Sequence, residues 1–170
     1  MAPQIATAAV AIIKTITPRE SFLVLRRAAH PDDPWSGHFA FPGGRKETCD
    51  KDLLDTCMRE TLEETGIALR PDQLQQELPL EPAGRNFSRP LWVQPFIFTL
   101  PARPPLQLEI KEVQSACWLD ITRFKDPQRH LSVEMMPGRV FPAYPLEDYY
   151  LWGFTYRLLC SILQVNELHI

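Results

Sequence analysis

The chain has 170 residues, 45% hydrophobic and 23% charged, close to the globular average, which excludes disorder and a coiled coil. That length suits one domain spanning residues 1–170, with enough chain to bury a single core. A net charge of −3 leaves no basic footprint, so no nucleic-acid partner is expected, whereas a small anionic ligand stays open because a metal can offset local repulsion.

Ala6–Thr15, rich in Ala, Val and Ile, predicts a first strand. Pro18-Arg19-Glu20 makes a turn into a second strand, Ser21–Arg27. A Pro/Asp/Gly loop, His30–Gly37, leads to a short extended stretch, His38–Phe41, closed by Pro42-Gly43-Gly44. Residues Asp52 to Thr65 have helical periodicity, with Leu54, Met58 and Leu62 recurring every four residues as the expected core face. Asp50 or Asp52 can cap its first turn, and Gly66 suits its end. Glu77–Arg89 reads as a loop, Leu91–Leu100 as an apolar strand, and Leu108–Ile121 as containing another. Val140–Tyr144 is extended, and Leu151–Val165 predicts a C-terminal helix with Trp152, Tyr156, Leu159 and Leu163 on one face. Mixed strands followed by helices indicate an α+β class, with layers around a mixed sheet.

No run approaches the ~18 apolar residues of a membrane span, so no membrane partner is expected. The N-terminus lacks a basic segment before an apolar one, as a secretory signal would need. Cys49, Cys57, Cys117 and Cys160 contain no C-x-x-C pair. Together these features predict a cytoplasmic protein with reduced thiols serving as packing residues.

The stretch richest in chemistry is Arg59-Glu60-Thr61-Leu62-Glu63-Glu64-Thr65-Gly66. At about 100° per residue, Glu60, Glu63 and Glu64 share one side of the helix. Three anions there repel one another. A hard divalent cation, Mg²⁺ or Mn²⁺, relieves that cost because it prefers oxygen ligands. Arg59, four residues before Glu63, can pair with it or with a neighbouring acid. Acidic helix faces are commonly just solvated, but Phe41-Pro42-Gly43-Gly44 lies just upstream. Such a turn lets backbone approach a ligand and leaves a carbonyl free for a metal.

These pieces resemble the Nudix box, G-x5-E-x7-R-E-U-x-E-E-x-G-U with U apolar. The match runs from Gly44 through Arg59-Glu60 and Glu63-Glu64 to Gly66-Ile67. Thr61 occupies an apolar slot, and fourteen residues separate Gly44 from Arg59, one more than in the box. Counting forward from the glycine puts the box's first acid at Asp50, which places the extra residue in the loop. The resemblance implies an α/β/α sandwich with a loop–helix–loop catalytic box on a mixed sheet. It also implies hydrolysis of a nucleoside diphosphate linked to another group, aided by Mg²⁺ or Mn²⁺. Glu60, Glu63 and Glu64 resemble the metal ligands, the carbonyl of Gly43 a further one, and Arg59 the arginine that orients a box carboxylate. A further acid is expected outside the helix as base or ligand. Glu112 is the candidate, with Glu109 and Glu134 behind it. Many members are homodimers, so a homodimer is compatible with the resemblance.

The one-residue expansion, together with Arg26, Ala28, Ala29, Gly37, Phe39 and Phe41-Pro42-Gly43-Gly44, resembles the coenzyme A pyrophosphatase-like subfamily. That makes coenzyme A or a derivative the first expected substrate, with ADP-ribose, a nucleotide sugar or a dinucleotide as alternatives. A non-catalytic nucleotide sensor is the reading from another class. The chain departs from the subfamily pattern at Val24 and Arg27, and at Asp33, where an acid replaces an arginine and is expected to repel phosphate. Arg26, Arg27 and Arg45 are candidate phosphate contacts. Trp35 could stack on a base or cover the loop, and His38 reads as structural.

Overall fold

The computed structural model describes residues 4–84 and 89–166. Its main sheet contains β1 (Ala8–Thr17), β2 (Ser21–Arg27), β3 (Phe39–Ala40), β4 (Gly43–Arg45), β5 (Leu74–Glu77), β6 (Glu81–Ala83), β7 (Leu91–Ala102) and β8 (Val113–Asp120). A smaller antiparallel sheet is formed by β9 (Leu131–Met136), β10 (Arg139–Leu146) and β11 (Tyr149–Trp152). Helix α1 is Leu53–Thr65, α2 is the single turn Ile121–Phe124, and α3 is Gly153–Leu163.

Strand β1 is the axis of the main sheet. It pairs in parallel with β7 from Ala8↔Val93 to Thr17↔Ala102, and antiparallel with β4 at one end and β2 at the other. The remaining pairs are antiparallel, with β8 against β2 and β5 and β6 against β7, so the sheet is mixed as expected. Alternating side chains feed two separate cores, as the period of a strand requires. Ala9, Ala11, Ile13, Leu23, Leu25, Phe96 and Phe98 pack on the α1 side. Ile12, Phe22, Val24 and Ile97 pack with Tyr156, Leu158 and Leu159 of α3 on the other. A helix on each face of a mixed sheet gives the expected layered α+β architecture.

Several local expectations are corrected. The buried positions of α1 are Thr56, Cys57, Thr61 and Thr65, whereas Leu62 is 50% exposed and Leu54 and Met58 only border the core. The threonines can face inward because their hydroxyls are satisfied within the helix. Thr61 Oγ1 donates to the Cys57 carbonyl (2.7 Å) and Thr65 Oγ1 to that of Thr61 (2.6 Å). The C-terminal helix begins at Gly153 (φ +68°), while Leu151 and Trp152 belong to β11. The region expected to be a loop, Glu77–Arg89, contains β6, which pairs with β7; its residues 85–88 lie outside the described residues. All four cysteines are free, but Cys49 is exposed and is not a packing residue. Among the described residues, no helix is long and apolar enough to cross a membrane.

Candidate metal and phosphate site

The N-terminus of α1 is organised by two aspartates with different tasks. Asp52 caps the helix by accepting from the Asp55 N–H (2.8 Å). Asp50, 5% exposed, accepts from Arg59 Nε (2.8 Å) and Nη2 (2.9 Å), from Thr56 Oγ1 (2.9 Å) and from the Glu47 N–H (2.8 Å). The Arg59 hydrogen bonds hold the Asp50 carboxyl well below the usual carboxylate range despite its burial. Asp50 therefore occupies the slot reached by counting forward from Gly44, and its role is to anchor Arg59.

Arg59 in turn reaches acids of its own helix. Its Nη1 donates to Glu60 Oε1 (3.0 Å) and to Glu63 Oε2 (3.2 Å), and its Nη2 donates to the Arg45 carbonyl (3.3 Å). The guanidinium thus links the helix, the Asp50 turn and the end of β4. The Arg45 side chain itself is exposed.

Glycine lets that helix approach β4 closely. A Cβ on Gly44 would lie 2.5 Å from the Glu60 carboxyl carbon, and one on Gly43 would overlap the Ala9 carbonyl oxygen. With no side chain in the way, the Gly43 N–H donates to Glu64 Oε1 (3.3 Å).

At its other end, α1 stops at Gly66 in the left-handed conformation (φ +75°). The strand connection following β7 then docks on the helix. The Gln107 N–H donates to the Thr65 carbonyl (2.8 Å) and the Glu109 N–H to that of Glu64 (3.1 Å). A turn follows, with the Glu112 N–H donating to the Glu109 carbonyl (2.9 Å), and it delivers Glu112 to the helix. Carboxylate oxygens of Glu60, Glu64 and Glu112 lie within 4.8 Å of one another.

The acids that meet are thus Glu60, Glu64 and Glu112, which differs from the expected Glu60, Glu63 and Glu64. Glu63 lies outside this group, largely exposed, with its carboxylate on Arg59 one turn earlier. Glu109 holds the turn through its backbone carbonyl, and Glu134 is tied up in the β9–β10 hairpin, where it accepts from the Gly138 N–H (2.9 Å).

Crowding has an electrostatic signature. Burial pushes the Glu64 carboxyl up to about 8, with the nearby Glu60 and Glu112 charges adding to the shift and the Gly43 N–H and the Arg27 charge opposing it. Burial also raises Glu60, against its hydrogen bond to Arg59. Three oxygen donors in mutual repulsion, two of them partly withdrawn from water, fit a hard divalent cation.

The cationic candidates on β2 have distinct surroundings. Arg26 donates through Nε to the Gly37 carbonyl (3.2 Å), pairs with Asp148, and lies over the rings of Phe39 and Tyr149 (5.5 and 5.2 Å). It is committed to structure, clamping the His30–Gly37 loop to the β10–β11 hairpin. Arg27 donates to Asp33. Trp35 is half-buried in the same loop, its N–H donating to Asp33 Oδ1 (3.0 Å). His38 packs against Trp152 (5.1 Å between ring centroids), in keeping with a structural role.

A family model described as "NUDIX domain" matches residues 6–137. An uncharacterised protein of Schizosaccharomyces pombe is 33% identical over 129 residues, which cover 72% of this chain but only 39% of that relative. The uncharacterised Nudix hydrolase NudL of Yersinia pestis is 27% identical over 161 residues, 92% of this chain and 78% of its own. Among solved structures, the NUDIX domain of Shewanella oneidensis NrtR, in complex with ADP ribose, superposes with a TM-score of 0.53 at 22% identity, over 72% of this chain and 77% of that one.

Proposed function

The chain belongs to the NUDIX domain family, and from that premise we propose that it is a pyrophosphatase acting, as a single domain, on a nucleoside diphosphate linked to a second group. The observation that carries this reading is the convergence of Glu60, Glu64 and Glu112 beside the Gly43-Gly44 turn. Glu60 and Glu64 would hold a Mg²⁺ or Mn²⁺ ion, with the carbonyl of Gly43 as a further ligand. A cation bound there would neutralise the diphosphate and acidify a bound water.

The chain's own residues do the rest. Arg59 orients Glu60, and its ion pair with Asp50 keeps it from drifting. Glu112, exposed at the rim, takes the proton of the attacking water or completes the ligand set. Glu63 supports the site through Arg59. Arg27 and the exposed Arg45 would meet the phosphates, and Trp35 would cover the His30–Gly37 loop.

ADP-ribose is the first substrate reading, favoured by the ADP ribose complex of the Shewanella domain. Coenzyme A is the second, favoured by the sequence pattern between Phe22 and Gly44. The four free cysteines agree with a cytoplasmic location.

A hydrolysis screen with resolved products tests the reading. With Mg²⁺ or Mn²⁺, AMP and ribose 5-phosphate are expected from ADP-ribose, or 3′,5′-ADP and 4′-phosphopantetheine from coenzyme A. Glu64→Gln should lower turnover by about 10²-fold or more, and Glu63→Gln by much less. Nucleotide binding without any product would sink the enzyme reading in favour of a sensor.

A further inference from the structure

Arg27 closes β2, and its backbone is fixed on both sides. Its N–H donates to the His38 carbonyl (2.9 Å), and the next residue, Ala28, donates to the Glu112 carbonyl (2.9 Å). The strand that carries this arginine is thus bonded directly to the residue that brings the third carboxylate.

The guanidinium is fixed as well. Nε (3.0 Å) and Nη2 (2.7 Å) both donate to Asp33 Oδ2, while Asp33 Oδ1 accepts from the Trp35 N–H (3.0 Å). With one oxygen on a backbone amide, the carboxylate cannot turn freely, so it dictates where the guanidinium sits. The Asp33 side chain is 18% exposed and that of Arg27 44%, so the anchor is sunken and the cation open. Among the described residues, Arg27 Nη1 has no partner.

Arg26 and Arg59 are less accessible, with side chains 13% and 20% exposed. Arg59 is spread over Asp50, Glu60, Glu63 and a carbonyl, and Arg26 over Gly37, Asp148 and two rings.

We propose that Asp33 is a positioning residue: it presets Arg27, with Nη1 left over, for the anionic group held at Glu60, Glu64 and Glu112. This rests on the metal and pyrophosphate reading of that site. The acid expected to repel phosphate instead has its charge matched by Arg27 and gives that arginine its orientation. An unheld arginine loses rotamer freedom when it grips a phosphate, whereas Arg27 has lost it already on folding.

The test uses the full chain loaded with Mn²⁺ and titrated calorimetrically with imidodiphosphate, a pyrophosphate with a nitrogen bridge. Mn²⁺ binding alone is followed by electron paramagnetic resonance, and thermal unfolding confirms that each variant is folded. Asp33→Ala should weaken imidodiphosphate binding about tenfold without changing Mn²⁺ binding. Asp33→Asn, which keeps an acceptor for the Trp35 N–H, should also weaken it. Adding Asp33→Ala to Arg27→Ala should cost nothing further, because the aspartate acts through the arginine. Full affinity in Asp33→Asn would reduce Asp33 to a loop-shaping role and overturn the proposal. An equal loss with and without Arg27 would do the same. A wild-type chain that bound no Mn²⁺ would bring down the metal reading and this one together, whereas Mn²⁺ binding with unaltered imidodiphosphate affinity in Asp33→Ala would defeat this one alone.

Discussion

Ionising Glu64 puts a charge into a largely buried place, beside the carboxylates of Glu60 and Glu112, which is why its carboxyl is pushed up to about 8. The sign of the consequence follows from linkage. A carboxyl raised on folding binds more protons in the native state, so its contribution to stability is greatest at low pH and is lost between about 4.5 and about 8. In EDTA, the stability of the wild type relative to Glu64→Gln should therefore fall as pH rises through that window, read by calorimetry. A pH-independent difference would contradict it. Divalent cations compete with that proton, so their apparent affinity should climb with pH up to about 8. Asp50 is the opposite case, an acid whose charge is wanted. Asp50→Ala should cost about 3 kcal/mol in urea unfolding, because it strands Arg59. A loss under about 1 kcal/mol would mean Glu60 and Glu63 suffice to hold Arg59. At this scale the sequence was informative where spacing decides. Asp50 follows from counting, and Glu112 from being an acid just before a strand. Glu63 stands outside the carboxylate group, and helical angle alone does not reveal that Arg59 draws it away or that a distant turn brings Glu112 in.

Helix α1 shows how a polar sequence can form a core face. Leu54, Met58 and Leu62 have the textual pattern of a buried stripe, yet Cys57, Thr61 and Thr65 carry more of the burial. Hydroxyls that bond back to the carbonyl four residues earlier hide their polarity, a device that a hydrophobic–polar reading scores as solvent-facing. The end of the helix is equally specific. A Cβ on Gly66 would lie 3.1 Å from Gln107 Cβ, and its φ of +75° suits glycine. Gly66→Ala is expected to lose about 1–2 kcal/mol. It should also lower turnover several-fold, because the segment it displaces ends at Glu112. Urea unfolding and steady-state kinetics on one preparation check both. Full turnover with reduced stability would show that the Glu112 turn is held independently of the helix end.

In the whole molecule, the long strands β1, β2, β7 and β8 and both covering helices follow from strand-length apolar runs and helical periodicity, and these were legible, whereas the short edge strands β5 and β6 were not. Of the small sheet only the middle strand was legible, as Val140–Tyr144; β9 was not, and β11 runs directly into α3 at Gly153, so its apolar residues merge with the helix pattern. That sheet is joined to the core by a buried polar contact. His130 Nε2 lies 2.6 Å from the Phe124 carbonyl, so it is the donor, and Nδ1 accepts from the Tyr156 hydroxyl (2.7 Å). Tyr156→Phe leaves Nδ1 without that donor and should cost about 1–2 kcal/mol, measured by urea unfolding with activity preserved.

The parallel match of β1 to β7 joins segments about 85 residues apart in the chain. During synthesis, the N-terminal hairpin and α1 emerge well before β7, and β1 has one edge open until then. Glu112 is made later still, after β7 is complete. The growing polypeptide therefore acquires its full set of three acids only once its central strand has been flanked on both sides, and a ribosome-bound fragment ending before β7 would carry Glu60 and Glu64 without their third companion.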